Sequence, residues 1–361
     1  MKCKYLLLLL LPVLFSECNK SVDYEYRSVA ISNLPLKAQI VATGNLSGNK
    51  QQELICGSDS TVQAYSIVKD SAILIYEHRF NDQILKIVVG NVDSDRKNEL
   101  IIVTGQPRYK ETDVKVYVIE AGERWSVQEV FSKFSKRPMA TSLQVADSDN
   151  DGVTEVLVSY FESKYIIESV SIYLSEDQWQ AKVLEQRRMA MTRRVGVLPG
   201  FDGNQQVVGR VYGDEIGMAG DAYLLAKERI MLPAKRGVKA VQIGDADNDG
   251  INDILLGDGW HQDYGKIARA RLAIVHIDGG QMVYELIEDV KNQYEVTQIE
   301  VADINEDGLN EVLAKGNRFT RIYQKDKVGW NVFRDTLFKG NQFAIGDITG
   351  DKRLEVIFSG R

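Results

Sequence analysis

The sequence predicts an all-β chain folded as a seven-bladed β-propeller, with calcium-binding hairpin loops and a ring closed by an N-terminal strand. Three observations predict it. An acidic loop recurs along the 361 residues at intervals of about fifty, the spacing of propeller blades. Each interval reads as four short strands rich in Val, Ile, Leu and Tyr, which suit a ring of small sheets better than one large core. Finally, the last unit stops after its second strand, while a strand-like segment at 24–31 precedes the first unit.

The loop at 147 is the fullest copy. A hard divalent cation such as calcium takes six to eight oxygens at roughly 2.3 to 2.6 Å, so side chains at alternate positions must converge on one point. Asp147, Asp149 and Asp151 supply that alternation. Gly152 lets the backbone turn, the carbonyl of Val153 offers an oxygen, and Glu155 closes the loop at its ninth position. An EF-hand closes at its twelfth and is flanked by helices. Here apolar strand residues flank the loop, which favours a calcium-bearing β-hairpin.

The frame recurs with graded completeness. Asp245, Asp247, Asp249, Ile251 and Asp253 form a complete set, and Asp303, Asn305, Asp307, Leu309 and Glu311 substitute one neutral ligand. Asn91, Asp93, Asp95 and Glu99, and likewise Asp347, Thr349, Asp351 and Glu355, keep alternate oxygens. Both place a cation, Arg96 or Lys352, where the glycine stood, which weakens attraction for another cation. The copy at 45–53 has the shape without the charge, and around Asp202 only a turn survives. All of these loops also suit a hairpin that binds no metal.

Strands follow from the same spacing. The second unit reads as strands at 84–89, 99–104, 113–120 and 125–131, the fifth as strands at 238–244, 253–256, 271–277 and 282–287. Residues 24–31 would pair into the last blade, closing the ring with a three-stranded or irregular sheet and removing two exposed edges.

The run Val/Ile-Gly/Ala-Asp-x-Asp/Asn-x-Asp-Gly followed by an apolar strand resembles the FG-GAP and VCBS repeats of the integrin-α-like β-propellers, over nearly everything after residue 24. The resemblance implies that each acidic loop joins the innermost strand to the next and binds calcium. Direct ligation carries over to Asp147, Asp149, Asp151 and Glu155 and to the matching positions at 245 and 303.

Residues 1–18 read as a signal peptide, with Lys2 and Lys4 before an apolar run too short to span a bilayer. Cys18 stands where a lipoprotein carries its lipidated cysteine, so both an envelope lipoprotein and a secreted protein stay open. Residues 19–23 would be a short tether and 24–361 the propeller. Export fits weak calcium sites, which fill where calcium is near millimolar. Cys56 lies in a strand as a buried thiol. The net charge of −7 argues against nucleic acid as the main partner.

Catalysis finds little support in the sequence: His78 and His276 lie in strand patterns, and no phosphate loop, nucleophile elbow or zinc spacing appears. A binding face is suggested by the connections between second and third strands, which gather away from the acidic loops. They carry Arg108, Tyr109, Tyr165, Tyr212, Trp260, His261 and Tyr264, aromatic planes among cations that suit a sugar or a protein hot spot. The leading expectation is an extracytoplasmic calcium-binding interaction module for protein or glycan. The alternatives are a lectin or polysaccharide-processing enzyme on the same propeller, and a structural domain of a cell-surface assembly.

Overall fold

Strands this short bury both faces only when their sheets stack against one another. In the computed structural model, which describes residues 7–10, 27–31, 38–49, 51–93, 95, 97–106, 111–212, 220–225, 228–234, 237–258, 269–278, 281–291, 295–316, 319–334 and 340–360, six sheets are each built from four consecutive antiparallel strands. Their innermost strands are Ile40–Gly44, Gln83–Gly90, Arg137–Ala146, Ala190–Val197, Val238–Gly244 and Val296–Ala302, defining blades one to six. Successive innermost strands lie side by side around a common axis. The strands expected in the second and fifth units are all present, with ends that differ by up to four residues.

The chain ends behave differently. Arg27–Ala30 and Leu7–Leu10 join Glu355–Phe358 and Phe343–Gly346 in one composite sheet, in that order. Arg27–Ala30 pairs with Leu7–Leu10, and Leu8 and Leu9 pair with Ile357 and Val356. This corrects the expectation of a seven-bladed ring closed by the strand at 24–31. The propeller has six blades of consecutive strands, and no ladder joins that segment directly to the C-terminal hairpin among the described residues. The unpaired backbone groups on the edge of the C-terminal hairpin can be taken by either N-terminal segment, and which one pairs there is settled by competition between them, not by local sequence. Phe343–Gly346 docks between blades six and one: Gln298 Nε2 donates to the Phe343 carbonyl at 2.7 Å, and Thr43 Oγ1 to the Ile345 carbonyl at 2.7 Å.

The core lies between blades. Ile101, Val103 and Val114 of blade two pack with Val156, Val158 and Ile172 of blade three. Leu255, Leu272 and Ile274 of blade five pack with Ile299, Val312 and Tyr323 of blade six. Full burial of each such aliphatic side chain stabilises by about 1.5–3 kcal/mol, so the stacking of sheets holds the fold together. Close approach dictates glycine at the ends of innermost strands. A Cβ on Gly44 would lie 2.3 Å from Val89 Cγ1, and one on Gly90 would lie 2.8 Å from Val145 Cγ1. The acidic loops follow immediately, so this packing sets their spacing around one face.

Candidate metal centres on the loop face

Each acidic loop joins the innermost strand of a sheet to the second strand. Two left-handed residues make the turn. They are Asn150 (φ 64°) and Gly152 (φ 88°) in blade three, Asn248 (φ 65°) and Gly250 (φ 85°) in blade five, and Glu306 (φ 61°) and Gly308 (φ 84°) in blade six. The first aspartate then accepts the amide of the sixth loop residue: Asp147 from Gly152 at 3.1 Å, Asp245 from Gly250 at 3.0 Å, Asp303 from Gly308 at 2.9 Å. Lys352 donates to Asp347 in the same way at 2.9 Å, with a φ of 74°. Carboxylates are thus oriented by the backbone before any ion enters.

The alternating acids converge as the sequence predicts for several copies. Carboxylate oxygens of Asp93, Asp95 and Glu99 lie within 4.8 Å of one another, as do those of Asp147, Asp149 and Asp151, of Asp245, Asp247 and Asp249, and of Asp347, Asp351 and Glu355. Asp147 Oδ1 is buried without a hydrogen-bond partner among the described residues, an acceptor left for a cation. The loop at 303 forms no such acidic group: Asn305 donates to Asp307 at 3.1 Å, and Gln324 Nε2 donates to Asp307 at 2.9 Å and Glu311 at 2.8 Å. In the composite sheet Thr349 donates to Glu355 at 2.9 Å. Val153, Ile251 and Leu309 each donate their amide at 2.8 Å to the preceding aspartate, Asp151, Asp249 or Asp307. Asn91 has its own hydrogen-bonding or electrostatic partners.

The closing glutamates do a further job through one of their two oxygens. Glu53, Glu99, Glu155, Glu311 and Glu355 each accept, through Oε2 at 2.8 Å, the amide of the second loop residue: Leu46, Val92, Ser148, Ile304 and Ile348. Glu53 does so in a loop that lacks the acidic set, so the bond staples the turn irrespective of metal. Burial pushes Glu99 and Glu355 up to about 7 and Glu311 up to about 8, against the opposing pull of those amides.

Blade five departs from this pattern. Asp253 is one methylene shorter, and its Oδ1 lies 2.9 Å from His276 Nδ1 on the third strand, Arg269–Asp278. Asp253 is 2% exposed, and both its Oδ2 and Asp247 Oδ1 are buried without a hydrogen-bond partner among the described residues. Ligand atoms of Asp247, Asp253 and His276 lie within 4.8 Å of one another. On its far side His276 Nε2 lies 3.1 Å from Glu285. Glu285 also accepts from Lys325 at 3.2 Å and Trp330 Nε1 at 2.8 Å, and Lys325 reaches Asp247 at 3.3 Å. Burial raises Asp253 to about 6 against the lowering pull of His276. Burial alone would lower His276, but its bonds to Glu285 and Asp253 prevail and raise it. Two carboxylates with orphaned oxygens and one imidazole make a mixed nitrogen–oxygen donor set able to hold a metal ion once His276 gives up a proton.

Sequence reasoning missed His276 because its partner lies across two strands. A register signal existed. One step beyond the pair Ile254↔Val275 stands His276, and the same step in blades one, two, three and six reaches Ser66, Glu120, Tyr173 and Gln324. It also missed the asparagines at the eighth loop position. Asn98 donates to the Asn45 carbonyl at 2.9 Å, Asn252 to Val197 at 3.0 Å and Asn310 to Asp245 at 2.8 Å, tying each loop to the one before it.

Of the expected ligand-binding face, Arg108, Tyr109, Trp260, His261 and Tyr264 lie outside the described residues, as does Cys18. Tyr165 is exposed, with the Arg188 guanidinium 4.8 Å and the Lys164 ammonium 5.1 Å from its ring centroid. Tyr212 is half-buried. Cys56 is buried, and desolvation pushes its thiol up to about 12, leaving it inert.

No family model matches the chain, and no curated protein matches it in sequence. Among solved structures, its fold is similar to that of a protein of Bacteroides fragilis NCTC 9343 described as a "putative 6-phosphogluconolactonase", with a TM-score of 0.54 at 10% identity, covering 91% of this chain and 94% of that one. The likeness is one of fold. It corrects the expected membership of the FG-GAP/VCBS, integrin-α-like family and the adhesion reading that went with it. An acidic hairpin is a local answer to a turn between two strands, and does not mark one family of propellers. The expectation against catalysis, which treated His276 as a packed strand residue, is corrected too, because His276 stands with Asp247 and Asp253 in a group able to hold a metal ion.

Proposed function

We propose that this chain is an exported, metal-binding propeller that recognises a carbohydrate and processes it. The observation that supports this most directly is the group of Asp247, Asp253 and His276, with two buried carboxylate oxygens that lack a protein partner. Its fold likeness to a protein named for a sugar lactone adds support. When bound there, a divalent cation supplies positive charge that polarises an oxygen of the substrate. Asp247 and Asp253 would hold it from the loop and the second strand, while Glu285 orients the His276 ring and fixes which nitrogen carries the proton. Lys325 bridges Glu285 and Asp247 and offsets one of their two negative charges. The oxygen-only loops at 91–99, 147–155 and 347–355 take calcium in this reading and act structurally. Tyr165, flanked by two cations, offers a plane on which a sugar ring stacks.

Metal content by elemental analysis, paired with turnover of acidic polysaccharides and sugar lactones, tests the reading. His276→Ala is expected to lose one equivalent of metal and to lower turnover by at least about tenfold, the lower end of the effect of losing a metal-supporting residue. Glycan capture without turnover would leave a lectin. Neither turnover nor capture on a glycan array, with metal bound, would overturn it.

A further inference from the structure

The innermost strands enclose a cavity of about 540 Å³ on the propeller axis, within the size range of small-molecule sites. It is lined by residues of all six innermost strands, from Ile40 in blade one to Glu300 in blade six, with Lys315, Gly316 and residues 340–343. Its charge is one-sided: Lys86, Arg193, Arg194, Lys239 and Lys315 face it, against Glu300 alone.

Backbone irregularity aims two of these cations. In blade four the ladder steps from Thr192↔Val208 to Arg194↔Val207, leaving Arg193 unpaired, and in blade five it steps from Val238↔Asp258 to Ala240↔Gly257, leaving Lys239 unpaired. A bulge of this kind re-aims the extra side chain, and matching shifts occur in blades two and six. Some of the charge is compensated. Lys239 pairs with Glu295 at 2.7 Å, and Lys315 donates to the Gly316 carbonyl at 3.2 Å. Arg193 Nε is buried without a hydrogen-bond partner among the described residues, with Glu295 near enough to attract its charge, and Lys86 makes no hydrogen bond or ion pair with a described residue.

We propose that this axial cavity is a binding site for a small organic anion of monosaccharide size, whose carboxylate or phosphate group is held by Arg193 and Lys86. A guanidinium fork matches either group in bidentate fashion, and the ammonium adds a point charge. Ser142, Gln144, Thr297 and Gln298 in the same wall suit hydroxyls on the rest of the ligand. The electrostatics agree: burial, with Arg193 and Lys239 nearby, lowers Lys86, and burial lowers Arg193 to about 10. Cations crowded together and desolvated are costly unless an anion joins them. This site is distinct from the metal centres and does not depend on them.

Isothermal titration of the intact protein with glucuronate, glucose 6-phosphate and glucose tests the proposal. One or both anions should bind, at least about tenfold more tightly than glucose, corresponding to one good charge-assisted contact. Glucuronate and glucose 6-phosphate separate the carboxylate from the phosphate source. Arg193→Gln and Lys86→Met should each weaken the anion by at least about tenfold, and Lys86→Met should melt no lower than the parent because it removes a half-buried charge crowded by Arg193 and Lys239. Binding unchanged in both variants, glucose binding as tightly as the anions, or no binding of any probe at millimolar concentration would overturn it.

Discussion

Glutamates that close the acidic loops carry two demands at once: each must staple a turn through one oxygen and keep its other oxygen near a cluster of like charges. Burial raises Glu311 to about 8 and Glu99 and Glu355 to about 7, so without metal the folded state retains protons that the unfolded chain releases near its ordinary value. The sign follows from linkage: a raised folded value gives stability that is complete below about pH 4.5 and is lost as pH rises through about 7 to 8. The chelated protein should therefore melt at progressively lower temperature between about pH 5 and pH 8. Glu311→Gln, which stays neutral, should show a shallower fall. Parallel melting curves for parent and variant across that window would contradict the assignment. Added metal should reverse the trend, since it replaces the proton as the charge that satisfies the loop.

At the scale of strands and blades, position is set by which residue each sheet presents to its neighbour. Gly44 and Gly90 end innermost strands because Val89 and Val145 of the following blades occupy the space of a side chain. Gly90→Ala forces a methyl group against Val145 and should destabilise by about 1–3 kcal/mol, the usual range for overpacking. Chemical denaturation would measure it; Gly48→Ala, where no neighbour crowds the site but φ is 72°, separates backbone strain from packing. The loop asparagines work at the same scale. Asn310 donates its side-chain amide to the Asp245 carbonyl and its backbone amide to Asn248 Oδ1 at 2.6 Å, so two hydrogen bonds tie the loops of blades five and six together. The axial bulges illustrate the converse, where a single unpaired residue in Ala190–Val197 turns Arg193 inward without disturbing the pairing on either side.

For the whole molecule, stability is a sum of blade interfaces plus whatever the loop centres add. Ions that bind only the folded state contribute about 2.7 kcal/mol per site at a hundredfold excess over Kd. Chelation should then lower the melting temperature in a metal-dependent way, with calcium restoring the oxygen-only loops. Identical curves in saturating metal and in excess chelator would remove the metal centres from the account of stability.

The blade strands, the turns between them and the acidic loops were all legible in the order of residues. Each is a local matter: alternation along one strand, or carboxylates within nine positions of one another on a single turn. Asp147, Asp149 and Asp151 meet because the turn that joins them leaves little choice. His276 meets Asp253 across 23 positions of chain, and nothing in either segment announces the other. The axial cavity gathers residues from Lys86 to Lys315, a charge that exists only once separate blades face a common axis. The chain ends were misjudged for the same reason: which strand covers the edge at Val356 depends on competition between distant segments, a comparison that no local pattern contains. Short-range geometry is written in the sequence, whereas the chemistry of the sites depends on contacts whose partners are chosen by packing.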